Sequence, residues 1–388
     1  MATLKNVDTM FTQAVESKQM PGIVAVAATD KGTVYEGAFG TREIGKSAPM
    51  TLDTVTWIAS MTKAITATAV MQLVERGKLS LDRPAADVVP DLARAQVLEG
   101  FDSAGRPRLR APQRPITLKH LLTHTAGFAY EIWRQEIARY QEVTNTPGIT
   151  TCTNAALTTP LLFDPGERWE YGINIDWAGK MVEAVSGRKL DRYFQENIFE
   201  PLGMKDTSFK LSASQRGRLS AMHQRDDKGV LAPIEFALPE EPEFLMGGGG
   251  LYGTAADYLA FAQMIMRGGT YKGAQVLRPE TVDLMGQNHI GPIEVGVLKT
   301  AMPPLSNDVE LFPGMSKKWG LSFLINTQTA ATGRSAGSLA WAGLANTYFW
   351  IDRTKRVCGV FLSQLLPFYD HTAIDLFGRF ETEVYRAA

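Results

Sequence analysis

Ser60-Met61-Thr62-Lys63 places a hydroxyl and an amine three residues apart, where the apolar run Val55 to Ala59 gives way to helical spacing through Val70 and Leu73. Residues i and i+3 project from one face of a helix, so the two groups can meet there. A serine hydroxyl is a poor nucleophile until a base takes its proton, and Lys63 is the nearest base. The chemistry open to this pair is acyl transfer through a covalent serine ester. An ordinary lysine, pKa about 10.4, is charged at pH 7; making it a base means lowering that value by about 3, roughly 4 kcal/mol, which burial can supply. S-x-x-K alone is a weak motif, and without partners it reads as a helix-capping serine ahead of an exposed lysine.

Two further stretches can complete the arrangement. Tyr171-Gly172-Ile173 offers a phenol that relays a proton when held beside a cation. Lys63 as free base and Tyr171 as phenolate are both open schemes, and two coupled groups share their titration. Trp341-Ala342-Gly343-Leu344 lies in a strand pattern near the C-terminus. Gly343 there lets a substrate lie close to the strand, and the Leu344 N–H together with that of Ser60 can aim at a developing oxyanion.

Other motifs compete. Gly333-Arg334-Ser335-Ala336-Gly337 has the G-x-S-x-G form of a nucleophile elbow, but only His371 follows it and the next residues read as strand, so Ser335 is read as a loop residue. His120 and His124 have the i, i+4 spacing of a helical zinc site, yet Leu121 stands where a metalloprotease carries its glutamate; both are read as structural. Gly247 to Gly250 lacks the lysine of a phosphate loop and reads as backbone that must pass close to something. Neither metal nor cofactor is expected.

The elements that must position these residues are legible in outline. Leu4 to Ser17 has helical spacing; Ile23 to Ala28 and Thr33 to Gly40 read as strands joined by a tight turn. Trp319 to Asn326, Ser338 to Leu344, Thr347 to Asp352 and Arg356 to Leu362 read as strands, and Asp370 to Tyr385 as a closing helix. The middle is helical at Lys119 to Thr123, Trp177 to Ser186, Leu190 to Ile198 and Ala255 to Arg267, with Arg106 to Pro115, Ala129 to Thr144 and Gly291 to Met315 as loops. The expected class is α+β: an antiparallel sheet built from both chain ends and flanked by helices, plus a mostly helical lobe. One catalytic unit in two lobes is expected, about 1–90 with 315–388 as the α/β lobe and about 91–314 as the helical and loop lobe.

A chain of 388 residues, 45% hydrophobic and 21% charged with formal net charge −1, carries no electrostatic footprint for nucleic acid or an anionic membrane. The expected partner is a small molecule. Cys152 and Cys358 are too few for a disulfide framework or zinc ribbon. Met1 to Gly22 has no uninterrupted apolar stretch of the signal-peptide kind, so a cytoplasmic setting is expected.

Taken together and in this order, the motifs resemble the serine β-lactamase and penicillin-binding-protein superfamily, and within it the class C β-lactamase-like esterases known as family VIII carboxylesterases. The resemblance also takes in Ile116 to Gly127, Pro201 to Thr207 and Gly248 to Asp257, and so spans nearly the whole chain. It implies a β-lactamase/transpeptidase-like fold, Ser60 as acyl-forming nucleophile, Lys63 and Tyr171 as the proton-handling pair, and the Ser60 and Leu344 N–H groups as oxyanion donors. Trp341, Gly343 and Ile173 are then the substrate-binding positions. Lactamases and DD-peptidases carry an asparagine where this chain has Ile173, with Asn174 one place late, and a strand lysine where it has Trp341. One residue turns a side chain by about 100° on a helix, so Asn174 does not substitute. An indole cannot neutralise a carboxylate. The resemblance therefore implies a serine carboxylesterase for short to medium-chain esters, with weak promiscuous cephalosporin hydrolysis. A class C-like β-lactamase or DD-peptidase is the alternative, and a non-catalytic penicillin-binding-like sensing domain a further one.

Overall fold

The computed structural model describes residues 4–388. Helix α1 (Lys5–Glu16) leads into strands β1 (Gly22–Thr29) and β2 (Gly32–Gly40). Helices α2 (Thr62–Glu75), α3 (Gln135–Thr144), α4 (Asn174–Ser186) and α5 (Ala255–Met266) follow among shorter elements. Strands β3 (Lys317–Trp319), β4 (Leu324–Asn326), β5 (Leu339–Gly343), β6 (Thr347–Asp352) and β7 (Val357–Leu362) precede the closing helix α6 (His371–Ala387).

These strands make one seven-stranded sheet in the order β3-β4-β5-β6-β7-β1-β2, antiparallel throughout. The two chain ends are joined at β1 and β7, where Val24 faces Leu362. This is the expected α+β architecture, a sheet from both ends with the helices of the middle around it. Alternation along a strand sends neighbouring side chains to opposite faces. On β6, Tyr348 and Trp350 reach Phe377 of α6 at ring separations of 4.8 and 5.7 Å, while Phe349 between them packs on Tyr258 of α5 at 5.0 Å. Trp341 on β5 is paired with Phe349 and shares the α5 side of the sheet. Helix α2 is buried from Thr62 through Leu73, as fits a helix whose small and apolar residues surround it on all sides.

The structure departs from expectation in places. The single strand foreseen from Trp319 to Asn326 is a hairpin, β3 and β4, which reverses through Gly320 and Ser322 with Ser322 at φ 73°. The reversal is set by distant backbone: a Cβ at Gly320 would stand 2.2 Å from the Met285 carbonyl, and Ser322 N donates to Leu122 O at 3.0 Å. Within the foreseen loops, Pro107–Arg110 pairs as a strand with Val97–Phe101, and Gln135–Thr144 is helix α3. Only Ile137 of α3 is buried, too little apolar periodicity to announce a helix. No helix among the described residues is long and apolar enough to cross a membrane.

Candidate active site

Ser60 stands on one 3₁₀ turn, Ala59–Met61, at the entry to α2. Ala59 has φ 46°, a left-handed conformation that costs a non-glycine residue on the order of 1 kcal/mol. The sharp entry leaves Ser60 partly exposed between two buried neighbours. One turn on, Lys63 Nζ donates to Ser60 Oγ at 3.0 Å, to Tyr130 OH at 3.1 Å and to the Gly248 carbonyl at 2.6 Å. Lys63 has no solvent exposure. That burial holds its pKa well below the ordinary lysine value, against the pull of the Asp176 carboxylate in the other direction.

Tyr171 meets the same cluster from the other side. Trp341 Nε1 donates to its hydroxyl at 2.9 Å, and Lys63 Nζ lies 4.7 Å from its ring centroid. Burial pushes the phenol above its ordinary pKa, opposed by hydrogen bonds with Ser60 and Trp341. Burial thus favours the neutral form of both groups, the phenol keeping its proton and the lysine giving its own up more easily. The walls are aromatic: the Tyr171 ring packs on His124, Tyr130, Trp133 and Trp341 at 4.8 to 5.5 Å. Trp319 stands edge-on to Trp341 at 4.7 Å.

Local backbone contacts explain how these distant residues arrive together. Gly172 admits the 128–130 segment: a Cβ there would lie 2.4 Å from the Phe128 carbonyl. Tyr130 N then donates to Tyr171 O at 3.2 Å, and Glu170 N to His124 O at 2.8 Å. Asn174 Nδ2 contacts His124 Nδ1 at 2.9 Å, so it is spent within the scaffold, and Ile173 is 2% exposed in the apolar core. The room that Gly343 leaves is filled by protein and not by open cleft: a Cβ would stand 2.4 Å from Ile58 O and 3.1 Å from Ala59 Cβ. That close approach seats the end of β5, and the Leu344 N–H after it, against the Ser60 turn. Gly247 to Gly250 runs as a strap along α2, its carbonyls taking Thr66 Oγ1, Lys63 Nζ and Trp57 Nε1 in succession.

Sequence reasoning missed Tyr130 and Asp176. Tyr130 follows shortly after the Ile116 to Gly127 stretch, but it meets Lys63 across 67 residues, a pairing with no local sign. Asp176 reads in sequence as an acid complementing the first turn of a helix; in the structure it is fully buried and accepts the Gly248 N–H at 2.8 Å. Ser335 is only 8% exposed, and its N–H donates to Asp352 in the turn before β5. His120 caps its own short helix, accepting Thr117 N–H at 3.2 Å, and His124 faces Asn174.

The β-lactamase family model matches residues 7–380. Monacolin J acid methylbutanoyltransferase of Aspergillus terreus is 33% identical, the match covering 97% of this chain and 94% of that protein. Lovastatin esterase of Penicillium rubens is 33% identical over 98% of each chain. Unliganded simvastatin synthase from Aspergillus terreus superposes with a TM-score of 0.87 at 31% identity, covering 100% of this chain and 99% of that one.

Proposed function

This chain belongs to the β-lactamase family, and from that premise we propose that it is a serine carboxylesterase of the family VIII kind, hydrolysing short to medium-chain esters through a Ser60 acyl-enzyme. Ser60 Oγ adds to the ester carbonyl as its proton passes to Lys63 Nζ. The N–H groups of Ser60 and Leu344 hold the oxyanion, each contributing roughly 3 kcal/mol in a preorganised site. Tyr171 OH gives its proton to the departing alkoxide and recovers one from Lys63. Water then adds to the acyl carbon, the same pair takes its proton, and the acid leaves with Ser60 restored. One observation carries the reading: an amine with no solvent exposure stands 3.0 Å from the serine oxygen.

The substrate class follows from the strand. Trp341 offers an indole where a carboxylate-binding relative has an ammonium, and its N–H is already given to Tyr171. Neutral, partly apolar acyl compounds suit such a wall, and cephalosporin hydrolysis is a weak side activity. A second reading keeps the acyl-enzyme and changes the acceptor. The aromatic wall favours an alcohol with an apolar body over water, and the relatives include both a named acyltransferase and a named esterase. A cytoplasmic setting suits Cys152 and Cys358, unpaired and buried, whose thiols burial pushes up to about 12.

Ser60→Ala tests the core of this. Wild type is expected to hydrolyse p-nitrophenyl butyrate at least tenfold faster, in kcat/KM, than a chromogenic cephalosporin, and the variant to lose both activities. Full ester turnover by the variant, or dominant cephalosporin turnover by wild type, overturns the reading. Added alcohol that diverts the butyryl group into a new ester identifies transfer.

A further inference from the structure

The geometry points to Asp176 as the positioning residue of Lys63, a buried counter-charge that holds the lysine's proton balance through the Gly248 strap. This rests on the reading that Lys63 activates Ser60. Asp176 lies in the first turn of α4 with no solvent exposure. Its Oδ1 accepts the Gly248 N–H at 2.8 Å, and its Oδ2 meets no donor among the described residues. Residue 248 must be glycine for the carboxylate to sit so close, since a Cβ there would stand 2.5 Å from Asp176 Oδ2. The carbonyl of that same glycine receives Lys63 Nζ at 2.6 Å. One residue of backbone therefore separates a buried carboxylate from a buried amine, and the two do not touch.

A carboxylate hidden from water with a bare oxygen is a costly arrangement unless something uses its field. Burial raises the Asp176 pKa and the Lys63 charge opposes that; burial lowers the Lys63 pKa and the Asp176 charge opposes that. Burial works against charge on the other titratable groups around the pair. Burial pushes His124 well down, Tyr130 and Tyr171 up, and the Cys152 thiol up to about 12. Glu131 acts on Tyr130 and is itself pushed up by burial. Asp176 is thus the anion that answers the ammonium formed when Lys63 takes the Ser60 proton.

Two consequences follow from its removal. Without the carboxylate Lys63 loses its proton more easily, so the acid limb of the kcat/KM profile moves to lower pH. The same loss makes Lys63 a weaker base, so the plateau falls. For Asp176→Asn the expected result is an acid-limb midpoint lower by about one pH unit or more, with a plateau about tenfold lower. The profile is read both with p-nitrophenyl butyrate and as the rate of Ser60 labelling by a fluorophosphonate. Labelling needs an activated serine but no particular ester, so wild type that labels and hydrolyses no ester fails the substrate reading alone. Wild type that does neither fails the activation reading on which this one rests. A folded variant whose acid limb stays in place, or moves to higher pH, overturns the proposal. Asp176→Ser, which keeps an acceptor for the Gly248 N–H in less volume, carries the same expectation should the asparagine variant not fold.

Discussion

Lys63 is held by three oxygens, and only Ser60 among them is visible from the local sequence. The i, i+3 spacing made that pair legible because a helix repeats over so short a span. Tyr130 was hidden, since tertiary folding alone brings it to the amine at 3.1 Å. Its hydroxyl is buried and kept protonated, so it serves as a fixed dipole that orients Nζ toward Ser60. Hydrogen bonds to charged groups contribute about 1.5–3 kcal/mol, so Tyr130→Phe is expected to lower kcat tenfold or more with a small change in KM. Steady-state kinetics on p-nitrophenyl butyrate, with thermal melting to confirm the fold, checks this. Unchanged kcat would remove Tyr130 from the cluster's function.

At the level of elements, β5 and the turn into α2 work as one piece. Gly343 lets them touch, and its substitution is a steric test without backbone strain. In Gly343→Ala the new methyl would meet Thr347 Oγ1 at 2.3 Å and Ile58 O at 2.4 Å, neither of which is the end of a flexible chain. Overpacking of this kind costs about 1–3 kcal/mol. The displaced partner is the Ser60 turn itself, so ester kcat/KM is expected to fall at least a hundredfold while the protein stays folded at 25 °C, read by kinetics beside circular dichroism. The strands around this contact were legible because short apolar runs, turn residues and a closing amphipathic helix mark them locally. The β3 to β4 reversal and α3 were not. The first is forced by the Met285 and Leu122 carbonyls, and the second buries only Ile137.

For the molecule as a whole, the G-x-S-x-G sequence matters through its arginine. Arg334 and Glu381 are each 2% exposed and form a two-pronged ion pair, Nε to Oε1 and Nη2 to Oε2 both at 2.6 Å, tying the turn before β5 to α6. Removing one partner of a buried pair strands the other charge and typically costs about 3–5 kcal/mol. Glu381→Ala is expected to lose stability on that scale in urea unfolding, with ester kinetics of the folded fraction unchanged within about twofold; a loss below about 1 kcal/mol would show the pair to be replaceable. The meeting of β1 with β7, Val24 opposite Leu362, bears on biosynthesis. A growing polypeptide displays Ser60 long before Trp341 and the strand that packs on the Ser60 turn have been made. Contacts so distant along the chain form slowly. On the proposed mechanism Ser60 is therefore unarmed in a nascent chain, and its reactivity toward acyl compounds follows the docking of β5 to β7 against its turn.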